Sequence, residues 1–291
     1  MGSKIQNSQG SVIQLVQNAY DTMGRGANFN RIMKGICCLS ENNGRLTAEF
    51  TVAEEHVNDK GTLYGGFIAA LVDVLTATSV KLLLPESSIV SIELSVSYLS
   101  AAKIGEIVSI EATCLKTGKS IAFTNACFRR RSDDSILITA KQQLAILSDK
   151  SKKEKSQING IIERKNKDLE IIWPSLALGG GIYFDKMKNL FKEMIISICL
   201  GEEHLNNGGT MHGGFTASMA DLITSRAVQM TESCPRVSVD LSVRIGEEII
   251  IEGKCLKIGW MMAFSEASFI RKKDGALLAK GRHNILVIWL T

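Results

Sequence analysis

Two carboxylates stand inside stretches that otherwise read as apolar helix. Asp73 and Asp221 each lie about two turns beyond a glycine-rich turn, Gly61-Thr62-Leu63-Tyr64-Gly65-Gly66 in one place and Gly209-Thr210-Met211-His212-Gly213-Gly214 in the other. An unpaired carboxylate in such a setting is costly. The side chains three and four residues away are small: Ala69, Ala70, Thr76 and Ala77 around Asp73, and Ala217, Ser218, Thr224 and Ser225 around Asp221. They leave space over each carboxylate for a backbone, a water or a substrate. One reading is a satisfied buried Asp that bridges helix and sheet. The other, favoured because the same Asp recurs, is a general base beside the unpaired N–H groups that open a helix. Those N–H groups carry partial positive charge, and glycines admit a ligand close to the backbone. Gly65, Gly66, Gly213 and Gly214 are therefore candidates to hold a carbonyl oxygen as negative charge develops on it.

Other residues fit the same chemistry less specifically. Asn58 and Asn206 each stand six residues before Tyr64 and His212; either can donate an amide hydrogen bond, although a lone Asn in a turn is usually turn chemistry. Ser91 and Ser238 open the strand after each helix, on its polar face, and gain weight from recurring at matched positions. His56 and His204 follow a Glu pair, and capping or core packing is the favoured reading for them. The four histidines show no metal-ligand spacing, so no metal or tightly held cofactor is expected. Basic clusters at residues 129–131 and 271–273 read first as solvated hairpin tips; Arg130 and Lys272 are also candidate partners for phosphates.

The elements that must position these groups occur twice. Residues 54–73 and 202–221 match at a constant offset of 148, with 11 of 20 positions identical. The offset is 147 at Val90 and Val237, and 141 from Gly105 and Gly246 onward, so the second copy lacks six residues, the counterparts of residues 98–103. Each copy switches periodicity in the same order. First comes a strand (residues 45–52 and 192–200). A helix follows, with Ile68, Leu71, Val72, Leu75, Leu82 and Leu83 along one face and Ser79 as a polar exception. Next is a strand alternating Ile92, Leu94, Val96 and Tyr98 with Ser91, Glu93, Ser95 and Ser97, and then three more strands. The pattern is β-α-β-β-β-β per copy, an α+β domain in which an antiparallel sheet buries a long apolar helix. The boundaries expected are residues 1–147 for the first domain, 148–185 for a charged linker and poorly matched segment, and 186–291 for the second. In residues 148–170, 12 of 23 are charged.

Composition narrows the function classes. With 291 residues, 45% apolar and 22% charged, the chain is of globular type, and 34 basic against 30 acidic residues give a net charge of +4. That is too even for a nucleic-acid partner read from bulk electrostatics. Seven Cys with no CxxC suggest neither a zinc ribbon nor a disulfide framework and fit a reducing compartment. The longest apolar run, residues 67–84, is interrupted by Asp73 and Lys81, so no membrane span is expected. The N-terminus lacks signal-peptide character; Met1-Gly2 suggests myristoylation only weakly, because Gln6 stands where that motif has Ser or Thr.

The runs HVNDKGTLYGG…LVD…VSIEL and HLNNGGTMHGG…MAD…VSVDL resemble the signature of acyl-CoA thioesterases of the hotdog fold, of the phenylacetate-pathway and thioesterase superfamily member two types. The likeness extends to residues 27–31 and 279–283. It implies two tandem hotdog domains paired side by side as an intrachain pseudo-dimer, with each site built across the pair. Carried onto this chain, Asn206, His212 and Gly213 would join Asp73 and Ser91, while Asn58, Tyr64 and Gly65 would join Asp221 and Ser238. Asn and the first Gly would polarise a thioester carbonyl, and Asp and Ser would activate water. The substrate implied is a fatty or aromatic acyl-CoA, with coenzyme A present only as part of it. The partner implied is a second copy, giving a homodimer of double hotdogs in cytoplasm or mitochondrion. Tyr64 departs from the family's His, so the second site is expected to lack the imidazole that the family uses to order the turn, and the stronger site is expected at His212 and Asp73; the six-residue deletion removes part of the acyl groove wall from copy two. A catalytically weakened acyl-CoA-binding or regulatory paralogue is the alternative. A hotdog hydratase is disfavoured by the Asn-to-glycine arrangement.

Overall fold

The computed structural model describes residues 2–58, 60–147, 193–198, 201–206, 211–231, 236–243, 249–271 and 274–287. The charged segment at 148–185, the first residues of the second domain and Lys272 lie outside the described residues. In chain order the elements are α1 (Gly2–Arg25), β1 (Cys37–Asn42), β2 (Arg45–Thr51), α2 (Gly65–Leu83), β3 (Ser88–Tyr98), β4 (Ile107–Thr117), β5 (Ile121–Arg130), β6 (Ile136–Leu147), β7 (Glu193–Ile198), α3 (Gly213–Thr231), β8 (Arg236–Val243), β9 (Ile249–Ile258), β10 (Met262–Arg271) and β11 (Leu277–Val287). Single 3-10 turns at Phe29–Met33, Glu54–His56 and Glu202–His204 punctuate them.

Among the described residues the eleven strands form one antiparallel sheet in the order β1-β2-β4-β5-β6-β3-β8-β11-β10-β9-β7. The run β2-β4-β5-β6-β3 is mirrored by β8-β11-β10-β9-β7, so the two copies meet edge to edge at β3 and β8, where Leu94 pairs with Val243 and Ser97 with Asp240. Pairing these edges removes the exposed strand that each half would present alone. In each copy the sheet wraps one helix, which is the hotdog arrangement expected. Among the described residues α2 alone is long and apolar enough to cross a membrane. Here its apolar length is spent on the protein interior: Ile68, Leu71, Val72 and Leu75 are all buried.

α2 and α3 also pack on each other, and their first turns cross closely. A Cβ placed on Gly214 would lie 2.7 Å from the Ala70 Cα, and one on Gly66 would lie 2.9 Å from the Ser218 Cα. These glycines and small residues allow each helix start to reach the carboxylate of the other helix.

Three features depart from the sequence expectations. The N-terminal segment forms α1, whose buried Tyr20 donates to Thr78 Oγ1 at 2.8 Å and whose Gln17 bonds Ile36 O and the Cys38 N–H. An additional strand, β1, hairpins onto β2 through Asn43 and Gly44, both at positive φ. Third, strict alternation along β3 fails: the register steps from Ser91 opposite Leu144 to Glu93 opposite Gln143, leaving Ile92 as a bulge. The extra residue turns Ser91 from the expected polar face to the helix side, which is how a bulge re-aims a side chain.

Candidate active site

Asp73 projects from α2 towards the first turn of α3 and is 6% exposed. Its Oδ2 accepts the Gly214 N–H at 3.0 Å. Its Oδ1 accepts the Ser91 hydroxyl and, at 2.5 Å, the Gln142 Nε2, which also reaches Ser91 Oγ at 2.9 Å. The Thr76 hydroxyl against Gln142 Oε1 fixes which end of that amide faces the carboxylate. A buried carboxylate with this donor set is satisfied rather than stranded.

His212 precedes α3 and is 3% exposed. Its Nδ1 lies 2.9 Å from the Gly214 nitrogen and 3.3 Å from Asp73 Oδ2, and its Nε2 lies 3.1 Å from Asn30 Oδ1. An N–H aimed at Nδ1 makes that nitrogen an acceptor, an arrangement that suits a ring proton on Nε2 facing Asn30 Oδ1. Burial pushes the imidazole's pKa below its ordinary value, against an opposing pull from Asp73. The N–H of Gly213, the first helical residue, has no acceptor among the described residues. It is a candidate donor for an incoming oxygen. Leu205 bridges to Met211, the residues that adjoin Asn206 and His212 in the chain.

The second arrangement uses different side chains. A Cβ on Gly65 would meet Asp221 Oδ2 at 3.4 Å, so this carboxylate faces the first turn of α2 as Asp73 faces that of α3. Tyr64 does not reproduce His212: its hydroxyl reaches across to Ser218 O at 3.3 Å. Tyr64 leaves the turn itself without an imidazole, while a different one, His283, stands beside Asp221. It occupies the position matching Gln142 and is fully buried, with Nε2 3.4 Å from Asp221 Oδ1 and Nδ1 2.7 Å from Thr224 Oγ1. Tyr98 donates to Gly65 O at 2.8 Å, and its ring stands 3.3 Å from a Cβ placed there. Ser238 lies on β8 opposite Ile285, the register that Ser91 holds opposite Leu144.

Several candidates do other work. Asn58 Oδ1 accepts from Lys60 N, Thr62 N and Thr62 Oγ1, which is turn chemistry. His56 Nδ1 accepts the Ala53 N–H and His204 Nδ1 the Gly201 N–H, while their rings pack on Phe67 and Phe215, so both cap and fill. The Arg130 guanidinium is committed to Glu106, Asp133, Ser135 and the Ala101 carbonyl, which assigns it to the hairpin rather than to a phosphate. Asn30, Gln142, Tyr98 and His283 were not singled out in the sequence as site residues. Gln142 and His283 carried a signal nonetheless, since each is polar at a strand position whose neighbours two residues away, Ala140 and Leu144 or Ile285, are buried.

Comparison with known proteins bears on the fold and the family. The Thioesterase superfamily family model matches residues 60–136. The Caenorhabditis elegans protein F42H10.6 is 38% identical over 128 residues, covering 44% of this chain and 76% of that protein. Acyl-coenzyme A thioesterase 13 of Homo sapiens is 32% identical over 127 residues, covering 44% of this chain and 91% of its own length. Among solved structures, a hot dog fold protein from Alicyclobacillus acidocaldarius superposes over 86% of this chain and 96% of its own with a TM-score of 0.52 at 13% identity, a likeness of fold. A turn-and-carboxylate pair on a hotdog scaffold, together with relatives matched over most of their length, makes this chain a member of the thioesterase superfamily.

Proposed function

We propose that the chain hydrolyses fatty or aromatic acyl-CoA to the free acid and CoA, chiefly at the Asp73 site. The observation that carries the reading is Asp73 of one hotdog hydrogen-bonded to the Gly214 N–H of the other, beside a Gly213 N–H with no acceptor among the described residues. In this reading the thioester oxygen takes the Gly213 N–H at the positive end of α3, with Asn206 as a second donor. Asp73, held by Ser91 and Gln142, drives attack on the carbonyl carbon, either by taking a proton from water or as the nucleophile itself. As the tetrahedral carbon collapses the C–S bond breaks: on the water route the proton taken up by Asp73 passes to the CoA sulfur, and on the nucleophile route water then hydrolyses the acyl-Asp73 anhydride, releasing the acid and supplying that proton. The Asp221 site is assigned a weaker or binding-only role, a reading favoured by the Tyr98 ring standing over Gly65.

Release of the CoA thiol from a panel of short, long and aromatic acyl-CoAs tests the proposal. Turnover is expected, with the panel defining the acyl class. Saturable binding of acyl-CoA by folded protein without turnover would replace the enzyme by the acyl-CoA-binding reading.

A further inference from the structure

The leader that precedes the first hotdog makes a contact that the catalytic reading does not use. Residues of the 3-10 turn Phe29–Met33, capped by Asn28, dock onto the second hotdog: the Phe29 N–H donates to Leu205 O at 3.2 Å. The Phe29 ring packs on His212 at a centroid distance of 5.1 Å and edge-on to Phe215 at 5.5 Å. This packing delivers Asn30, itself 5% exposed, to the far nitrogen of His212.

The pairing has a chemical consequence at Asp73. His212 Nδ1 and Asp73 Oδ2 are 3.3 Å apart and share one donor, the Gly214 N–H. If Nδ1 carried a proton, that proton would point at Asp73 Oδ2 and compete with substrate or water for it. An amide oxygen opposite Nε2 favours the proton there, yet adds no charge that would draw a second proton onto the ring. A carboxylate in its place would stabilise imidazolium. Among the described residues Asp73, from α2, is the charged group facing this ring, while Arg31 of the leader acts on the neighbouring His204.

We propose that Asn30 is a positioning residue for the Asp73 site, holding His212 neutral with its proton on Nε2 so that Asp73 Oδ2 stays available. The kinetic part of the inference rests on the thioesterase reading; the state of the imidazole does not. Two measurements separate them. Nitrogen-15 chemical shifts of His212 in the whole chain at pH 7 are expected to show a neutral ring protonated on Nε2. A ring protonated on Nδ1, or an imidazolium, would overturn the proposal whether or not the protein turns over.

The second measurement compares wild type with Asn30→Asp, of nearly the same shape, and with Asn30→Leu. Asn30→Asp is expected to move the acid limb of kcat upward by about one to three pH units with KM nearly unchanged. In the same variant the His212 shifts should report imidazolium at pH 7. Asn30→Leu should show a mixture of ring tautomers and a lower kcat. Unchanged shifts and an unchanged pH profile in both folded variants would show that Asn30 only packs. Expected shifts in a protein that releases no CoA would leave the Asn30–His212 assignment standing and remove the thioesterase reading alone.

Discussion

At the scale of residues the site rests on how one buried carboxylate is held. Asp73 was legible in the sequence because a charge inside an apolar helix breaks the pattern twice, at matched positions. Its support was less so. Gln142 sits at a core-facing strand position where it breaks a weaker rule, and Ser91 reaches the carboxylate only because Ile92 is bulged out, which alternation cannot foresee. Gln142 donates to Asp73 at 2.5 Å in a site with little solvent to replace it. Loss of a hydrogen bond to a charged group costs about 1.5–3 kcal/mol, so Gln142→Leu is expected to lower kcat by about tenfold or more while the fold persists. Steady-state kinetics with a saturating acyl-CoA, alongside circular dichroism, checks it. A wild-type kcat would assign Gln142 to packing.

At the scale of elements, the β-α-β-β-β-β order and most strand limits followed from periodicity and turn residues. The hairpin of β1 and β2 was signalled by Asn43-Gly44, the pair that a tight turn with two positive φ values requires. α1 was legible too, since Ile13, Val16, Tyr20 and Met23 recur at helical spacing and pack on the core, but that stripe was not used. The close crossing of α2 and α3 was not legible, since small residues signal available space but not what fills it. Gly214→Ala is expected to destabilise the protein by about 1–3 kcal/mol, because the new methyl would meet the Ala70 backbone. Gly259→Ala, in a hairpin where a Cβ meets only Met262 O at 3.4 Å, should change little. Urea unfolding midpoints of the two variants measure the difference, and equal midpoints would contradict the crossing.

At the scale of the whole molecule, the eleven-stranded sheet makes the two copies one body, and histidines are buried in both. Burial pushes the pKa values of His56, His204 and His212 below the ordinary 6.5. Above that value each ring is neutral both folded and unfolded, and its contribution is fully present. As the pH falls below about 6.5 the unfolded chain takes up protons first, so stability is lost down to the lower folded pKa values. The urea midpoint is therefore expected to be lower at pH 5.5 than at pH 7.5, a range in which ordinary carboxylates remain largely ionised. Equal midpoints would mean that these rings stay hydrated. The sequence repeat flagged Tyr64 at the second site but not the imidazole that stands beside Asp221 there: Tyr64 and His283 lie 219 positions apart in the chain, and the copies join at β3 and β8.

The most direct test of the central claim, that Asp73 acts against the glycine turn of the opposite hotdog, is CoA release by wild type, Asp73→Asn and Asp221→Asn under identical conditions. The amide preserves shape but cannot accept a proton or attack as a carboxylate. Loss of a general base costs about 10²–10⁴ in rate. Asp73→Asn is expected to lose at least a hundredfold in kcat while Asp221→Asn keeps most of it. Full activity in folded Asp73→Asn would contradict the account.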